Sequence, residues 1–161
     1  FLNKYSIGIE INNPGHDYKY KQFTKKQENA FVKLSKFLIK KYKIKSKFIL
    51  GHSDISPDRK KDPGEKFPWQ LLAKKKIGIW HNINQIKLLK YRNKKIEEKD
   101  KKNFINNLYK IGYAKNINYK KINYFKILTI AFQRRFRPGL INGIIDKECL
   151  IISINLAKKF K

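Results

Sequence analysis

The stretch "GHSDISPDRKKDPGEKFPWQ", residues 51–70, determines how the first half of the chain is organised. The segment that leads into it, "KFILG" (47–51), is apolar and ends in glycine, which predicts a short strand. The serine, prolines and glycine of the loop favour turns. The chain then continues as "FPWQLLAKKK" (67–76), which predicts a helix with proline near its first turn. A loop rich in histidine, aspartate and lysine therefore joins a predicted strand to a predicted helix.

Two further segments upstream extend this pattern. "YSIGIEI" (5–11) is β-branched and apolar, which predicts a strand, and "NNPGH" stops it with turn residues. Thr24 and Gln27 have capping-box spacing and predict a helix over 25–42 that packs on the sheet. The order strand, helix, strand, loop, helix is typical of the α/β class. We therefore predict an α/β domain over 1–81, with a mixed β-sheet that contains 4–11 and 47–51.

The second half of the chain has a helical pattern. Residues 82–100 are charged and predict a linker, and residues 101–161 predict a small domain of three helices. Gly112 has the position of a C-cap, Pro138 ends the middle helix, and Asp146 has the position of an N-cap. The structural interpretation of "AFQRRFRPG" places its two phenylalanines in the core and its arginines on a solvated face. The functional interpretation makes this region a glycan-binding module.

Composition limits the function without choosing it. The 161 residues include 39 Lys+Arg against 12 Asp+Glu, a formal net charge of +27. Such a surface attracts polyanions, namely nucleic acid, anionic lipid or anionic cell-wall polymer. The excess of lysine, asparagine and isoleucine equally fits a coding bias. The single cysteine, Cys149, excludes an internal disulfide, and no apolar run is long enough to cross a membrane.

The side chains of the loop suggest metal chemistry. His52 follows a predicted strand and Asp62 comes ten residues later, so a turning loop can bring them together. An imidazole and a carboxylate are half of a catalytic zinc set, which has three protein ligands and one open position. The alternative is structural, with His52 and Asp54 capping the strand end and Asp62 forming a turn.

Two more residues point to hydrolysis. Glu10 lies inside an apolar strand, where a carboxylate is unfavourable unless it faces a polar cleft, and there it would serve as a general base. Lys60 lies two residues before Asp62, where its ammonium would stabilise negative charge on a carbonyl oxygen. A metal, a base and an oxyanion stabiliser together predict amide hydrolysis.

Three segments carry a resemblance to a known family. "SIGIEINNPGH" (6–16), "GHSDISPDRKKDPGEKFPWQLLAKKKIGIW" (51–80) and "AFQRRFRPGLINGIIDKECL" (131–150) resemble the zinc-dependent N-acetylmuramoyl-L-alanine amidases of the type-2 family. The most similar members carry a small C-terminal peptidoglycan-binding-like domain. The resemblance implies that His52 and Asp62 bind Zn²⁺, that Glu10 is the catalytic glutamate and that Lys60 stabilises the tetrahedral intermediate. It also implies peptidoglycan or muropeptides as substrate, with cleavage between N-acetylmuramic acid and L-alanine.

The resemblance also raises a conflict. The family's first zinc histidine belongs to a strand upstream of the "GIE" strand, and the sequence starts in mid-strand after that point. We therefore expect an incomplete metal site, weak zinc binding and little activity from these residues alone. His16 is the alternative to this missing ligand, but we do not expect it to bind the metal. We expect His81 to lie at the surface or to pack against neighbouring side chains.

Two alternatives to the enzyme remain. One is a cell-wall-binding remnant without catalysis, which the missing histidine favours. The other is a basic nucleic-acid-binding module, which the charge favours, although the sequence has no recognisable groove-entering element. We expect a monomer that binds peptidoglycan and not nucleic acid. We expect it in the bacterial cell envelope or periplasm, with the cytoplasm as the alternative.

Overall fold

The computed structural model describes residues 2–114 and 123–160. These residues form mainly helices. The α-helices are, in chain order, α1 (Lys25–Tyr42), α2 (His52–Ile55), α3 (Trp69–Lys74), α4 (Gln85–Leu89), α5 (Glu98–Ile111), α6 (Tyr124–Phe136) and α7 (Lys147–Ala157). Three 3₁₀ turns accompany them, at Leu2–Tyr5, Ser46–Phe48 and Lys158–Phe160. No helix in the described part of the chain is long and apolar enough to cross a membrane.

The predicted mixed β-sheet is wrong for this structure, because residues 2–114 and 123–160 contain no β-strand. Both predicted strands start in a 3₁₀ turn, at Leu2–Tyr5 and Ser46–Phe48. Ile49 and Gly51 have extended backbone angles, but the backbone hydrogen bonds of 46–49 are local. A strand needs a neighbouring strand to accept its ladder hydrogen bonds. The apolar pattern of a segment can thus indicate extended backbone, but it does not indicate whether another strand lies beside that segment.

The helix boundaries follow the predicted capping chemistry. Thr24 and Gln27 form a reciprocal capping box at the start of α1. Asp146 accepts a hydrogen bond from the backbone N–H of Cys149 and begins α7. Gly112 ends α5 with a φ of 111°, a left-handed conformation that glycine adopts without steric strain. These three predictions are confirmed.

The apolar core lies mainly between the later helices. Phe104 of α5 and Phe132 of α6 are fully buried, and their ring centroids are 5.1 Å apart in an edge-to-face arrangement. The two predicted core phenylalanines of α6, Phe132 and Phe136, are both confirmed. The same core includes Trp69 of α3 and Leu88 of α4. It therefore draws residues from all three of the segments predicted as separate units, whose boundaries remain a prediction.

Helix α1 covers this core only along part of its length. The Phe31 ring packs edge-to-face on Phe67, with centroids 5.3 Å apart. Leu34 and Phe37, which the sequence places on the same helical face, are 44% and 59% exposed. The predicted packing of this face on a sheet is therefore wrong for the described residues.

The predicted solvated face of arginines on α6 is also wrong. Arg135 and Arg137 are 3% and 1% exposed, respectively. Arg137 donates to Asp146 at 2.6 Å and to Glu148 at 3.5 Å, and Glu148 also accepts two hydrogen bonds from Arg92. Buried guanidinium groups are tolerated when carboxylates neutralise them, and both acids belong to the start of α7. This ion network fixes the start of α7 against α6.

Candidate functional site

The pair His52 and Asp62 forms as predicted. His52 is the first residue of α2, and its Nδ1 lies 2.5 Å from Oδ2 of Asp62. The backbone supports the same contact, since the N–H of Ser53 donates to the carbonyl oxygen of Asp62 at 2.9 Å. The side chains of His52 and Asp62 remain 49% and 55% exposed. The loop therefore folds back on itself and presents an imidazole and a carboxylate to solvent.

A buried carboxylate holds the helix that carries His52. Asp54 accepts a hydrogen bond from the backbone N–H of Gly51 at 2.8 Å and so caps the start of α2, whereas it was considered from the sequence as the cap of a strand end. It also accepts from the hydroxyl of Tyr113 at 2.9 Å and from the guanidinium of Arg135. Sequence reasoning missed these last two partners. The helical spacing of Arg135 three residues after buried Phe132 is the signal that indicates its inward direction.

A second group of side chains holds the backbone that follows Asp62. The hydroxyl of Tyr20 donates to the carbonyl oxygen of Pro63 at 2.6 Å and accepts from the N–H of Lys66 at 3.0 Å. The ring of His16 stacks against Tyr20, with centroids 4.4 Å apart, and its Nε2 lies 3.0 Å from Glu65. His16, Tyr20 and Glu65, called here the wall, fix the backbone of residues 63–66, which follows Asp62 in the chain.

The pKa values of this wall reflect its partial burial. Burial raises the pKa of Tyr20 to about 12, so its phenol stays protonated and continues to donate. Burial acts to raise the pKa of Glu65 as well, but the hydrogen bond with His16, a backbone hydrogen bond and the nearby charges of His16 and Arg134 together outweigh it, so the pKa of that carboxyl falls below its usual range. His16 is thus paired with Glu65, and among the described residues no hydrogen bond or ion pair joins it to His52 or Asp62.

The other two predicted site residues are Glu10 and Lys60. Both side chains are exposed, and within the described ranges no hydrogen bond or ion pair joins either of them to His52 or Asp62. Their catalytic roles remain a prediction. His81 is buried against the ring of Trp80, 5.1 Å between centroids, which is the packing position considered for it. Burial lowers the pKa of His81 to about 4.

The donor set fits part of a zinc site. An imidazole nitrogen and a carboxylate oxygen, adjacent and open to solvent, are ligands that Zn²⁺ accepts. Among residues 2–114 and 123–160, however, no three histidine, cysteine, aspartate or glutamate side chains lie close enough together to hold a metal ion. The described residues therefore offer two candidate ligands, His52 and Asp62, and do not form a three-ligand catalytic site.

The exposed imidazole–carboxylate pair lies within the long GHSDI…DPG…FPW motif, whose resemblance to amide hydrolases was drawn from the sequence. Comparison with known families supports that resemblance. Residues 1–65 match the model of the N-acetylmuramoyl-L-alanine amidase family. Together with the relatives described below, this match confirms the resemblance drawn from the motifs: the chain is a homologue of the type-2 N-acetylmuramoyl-L-alanine amidases.

Individual relatives extend the similarity beyond residue 65. The N-acetylmuramoyl-L-alanine amidase AmiD of Escherichia coli K12 is 33% identical over 164 residues, covering 99% of this chain and 59% of AmiD. The structure of E. coli AmiD with the substrate anhydro-N-acetylmuramic acid-L-Ala-D-γ-Glu-L-Lys superposes with a TM-score of 0.74 at 31% identity, over 88% of this chain and 55% of that one. AmpDh3 of Pseudomonas aeruginosa, in complex with anhydromuramic pentapeptide, gives a TM-score of 0.72 at 30% identity, over 89% and 56%. The chain thus spans somewhat more than half the length of these relatives.

Proposed function

We propose that this chain hydrolyses the amide bond between N-acetylmuramic acid and the L-alanine of the stem peptide in peptidoglycan fragments. The observation that carries the proposal is the exposed pair of His52 and Asp62, 2.5 Å apart within the family motif. The AmiD and AmpDh3 structures support the choice of substrate, because both hold anhydromuramoyl peptides.

In this proposal His52 and Asp62 are the two ligands that the chain supplies to Zn²⁺. When bound, zinc would supply a Lewis acid and lower the pKa of water. Glu10 would accept a proton from the attacking water and return it to the amino group of L-alanine as the C–N bond breaks, and the ammonium of Lys60 would stabilise negative charge on the carbonyl oxygen of the scissile amide. Tyr20 and Asp54 do not react; they hold the backbone on either side of the ligand pair.

The setting of the reaction belongs to the same proposal. We place the activity in the bacterial cell envelope, with residues 101–161 as a wall-binding unit and the chain acting as a monomer. The net charge of +27 supports attraction to anionic cell-wall polymer. A basic chain attracts many kinds of polyanion, so binding to the cell wall is tested separately from hydrolysis.

The activity test compares three proteins. Residues 1–161, the variant Asp62→Ala and the control Glu98→Ala are each incubated with zinc and anhydromuramoyl peptide, and released stem peptide is followed by chromatography. Glu98 is a suitable control because it lies on the exposed side of α5 in an ion pair with Lys101. Because the described residues supply only two candidate ligands, we expect slow release of stem peptide by the wild type and by Glu98→Ala, and none by Asp62→Ala. Equal release from all three would refute the assignment of Asp62.

A wall-binding protein without catalysis is the second candidate, because the described residues hold two ligands where a catalytic zinc site has three. It predicts sedimentation with purified peptidoglycan and no peptide release at any zinc concentration. Binding to DNA, titrated with salt, separates both candidates from a nucleic-acid-binding module. Only that module requires DNA affinity to exceed affinity for peptidoglycan at 0.15 M salt.

A further inference from the structure

The segment that carries His52 is held by an arginine from a distant part of the chain. Arg135 of α6 donates to the carboxylate of Asp54 and, through Nη2, to the carbonyl oxygen of Ile49 at 3.0 Å. These two acceptors lie on either side of Gly51 and His52. One planar guanidinium therefore spans the backbone turn at which α2 begins, and its rigid fork suits two acceptors in fixed positions.

The surroundings of Arg135 restrict its movement. Its guanidinium carbon lies 4.0 Å from the centroid of the Trp69 ring. Trp69 also approaches Gly51, where an added Cβ would meet the indole at 3.3 Å and Pro63 at 2.6 Å. The side chain of Asp54 is 6% exposed, so its contact with Arg135 is hardly screened by water. Arg135, Trp69 and Asp54 thus form a buried cluster that holds the backbone of residues 49–54, and we call this cluster the clamp.

We propose that Arg135, acting through Asp54 and Ile49, is a positioning residue that fixes His52 opposite Asp62. The catalytic consequence of this role rests on the proposed function, whereas the effect of Arg135 on the conformation of residues 49–62 does not. This role makes α6 a required support of the active site, in addition to its place in the proposed wall-binding unit. Tyr113, which donates to the other oxygen of Asp54, supports the same clamp from the end of α5.

The chain offers a matched control. Arg137 is as deeply buried as Arg135 and is also paired with carboxylates, but those are Asp146 and Glu148 of the α7 start. Arg135→Lys and Arg137→Lys each keep a positive charge and lose the two-acceptor geometry. Both variants lose stability, whereas only the first should disturb residues 49–62. Tyr113→Phe is a milder variant that removes one hydrogen bond to Asp54 and keeps the ring.

Two measurements separate positioning from general stability. Hydrogen exchange should become about ten- to hundredfold faster in the peptide covering 49–62 of Arg135→Lys, the range expected from losing a hydrogen bond to a charged group. Exchange within α1 should stay unchanged. The imidazole nitrogen signals of His52 in ¹H–¹⁵N spectra at fixed pH should move in Arg135→Lys, and less in Tyr113→Phe, while those of His16 stay in place. Arg137→Lys should leave both readouts of the 49–62 segment as in the wild type.

Each outcome of these two measurements either supports or overturns the positioning role of Arg135. A selective change in residues 49–62 caused by Arg135→Lys or Tyr113→Phe supports the positioning role. Wild-type exchange and wild-type His52 signals in both variants, or the same change in Arg137→Lys, would overturn it. If the wild type releases no stem peptide, the proposed function fails while exchange and spectra still decide the role of Arg135. If it does, Arg135→Lys should lower kcat at least about tenfold more than Arg137→Lys.

Discussion

Gly64 gives the sharpest test of the wall behind Asp62. Its φ of 78° lies in the left-handed region, and an added Cβ would meet the Tyr20 hydroxyl at 2.6 Å and Cε1 of His16 at 2.7 Å. The change Gly64→Ala therefore has two separate costs. One is backbone strain, and the other is a collision with the side chains that hold Pro63 and Glu65.

The change Gly15→Ala measures the cost of backbone strain alone. Gly15 has a nearly equal φ of 72°, and an added Cβ there would meet nothing within 4 Å. A left-handed alanine costs about 1–2 kcal/mol, part of which the lower entropy of the unfolded chain offsets. We expect Gly15→Ala to lower the free energy of unfolding by about 1 kcal/mol. Overpacking adds about 1–3 kcal/mol, so we expect a loss of about 2–4 kcal/mol for Gly64→Ala.

Thermal unfolding by circular dichroism measures the difference. For a chain of this size each kcal/mol changes Tm by about 2–4 °C, so the two variants are readily distinguished. The double variant Gly64→Ala with Tyr20→Phe removes the nearest colliding oxygen and should cost less than the sum of the two single changes. Equal losses for Gly64→Ala and Gly15→Ala would show that Tyr20 and His16 do not enclose Gly64 as described.

Three further predictions concern the buried polar groups. Arg137→Met should lower the free energy of unfolding by about 3–5 kcal/mol in denaturant titrations, because it leaves the buried carboxylate of Asp146 without its cation and leaves Glu148 paired with Arg92 alone, and a loss below about 1 kcal/mol would contradict the ion network. Burial lowers the pKa of His81 from 6.5 to about 4, so the unfolded chain binds a proton more readily and stability falls as pH drops from 6.5 towards 4. His81→Gln should remove on the order of 3 kcal/mol of that pH dependence, and identical pH profiles of wild type and variant would count against it. The thiol of Cys149 is fully buried with its pKa raised to about 12, so a thiol reagent at pH 8 should label it only after denaturation, and rapid labelling of the native protein would contradict its burial.

The sequence predicted those features that depend on local chemistry. The capping box at Thr24, the C-cap at Gly112 and the N-cap at Asp146 involve residues within one helical turn, and all three were predictable. The pairing of His52 with Asp62 was also predictable, because a ten-residue loop with turn residues can close on itself.

Features that depend on distant partners were not predictable in the same way. An extended apolar segment gives no information about whether a second strand lies beside it, so the sheet was predicted and is not found in the described residues. Arg135 looked like a surface charge because its partner Asp54 is 81 residues away. Its position three residues after Phe132 would have been the better guide, since both lie on the core face of α6.

The separation between Asp54 and Arg135 also bears on how the chain is made. The carboxylate of Asp54 leaves the ribosome 81 residues before the guanidinium that neutralises it. At about 5–20 residues per second, the segment with His52 waits roughly 4–16 s for that partner to be synthesised. During this interval residues 49–54 lack their clamp. The clamp therefore forms only after residue 135 has been synthesised, and nascent chains arrested before that residue should hold the histidine segment unfolded.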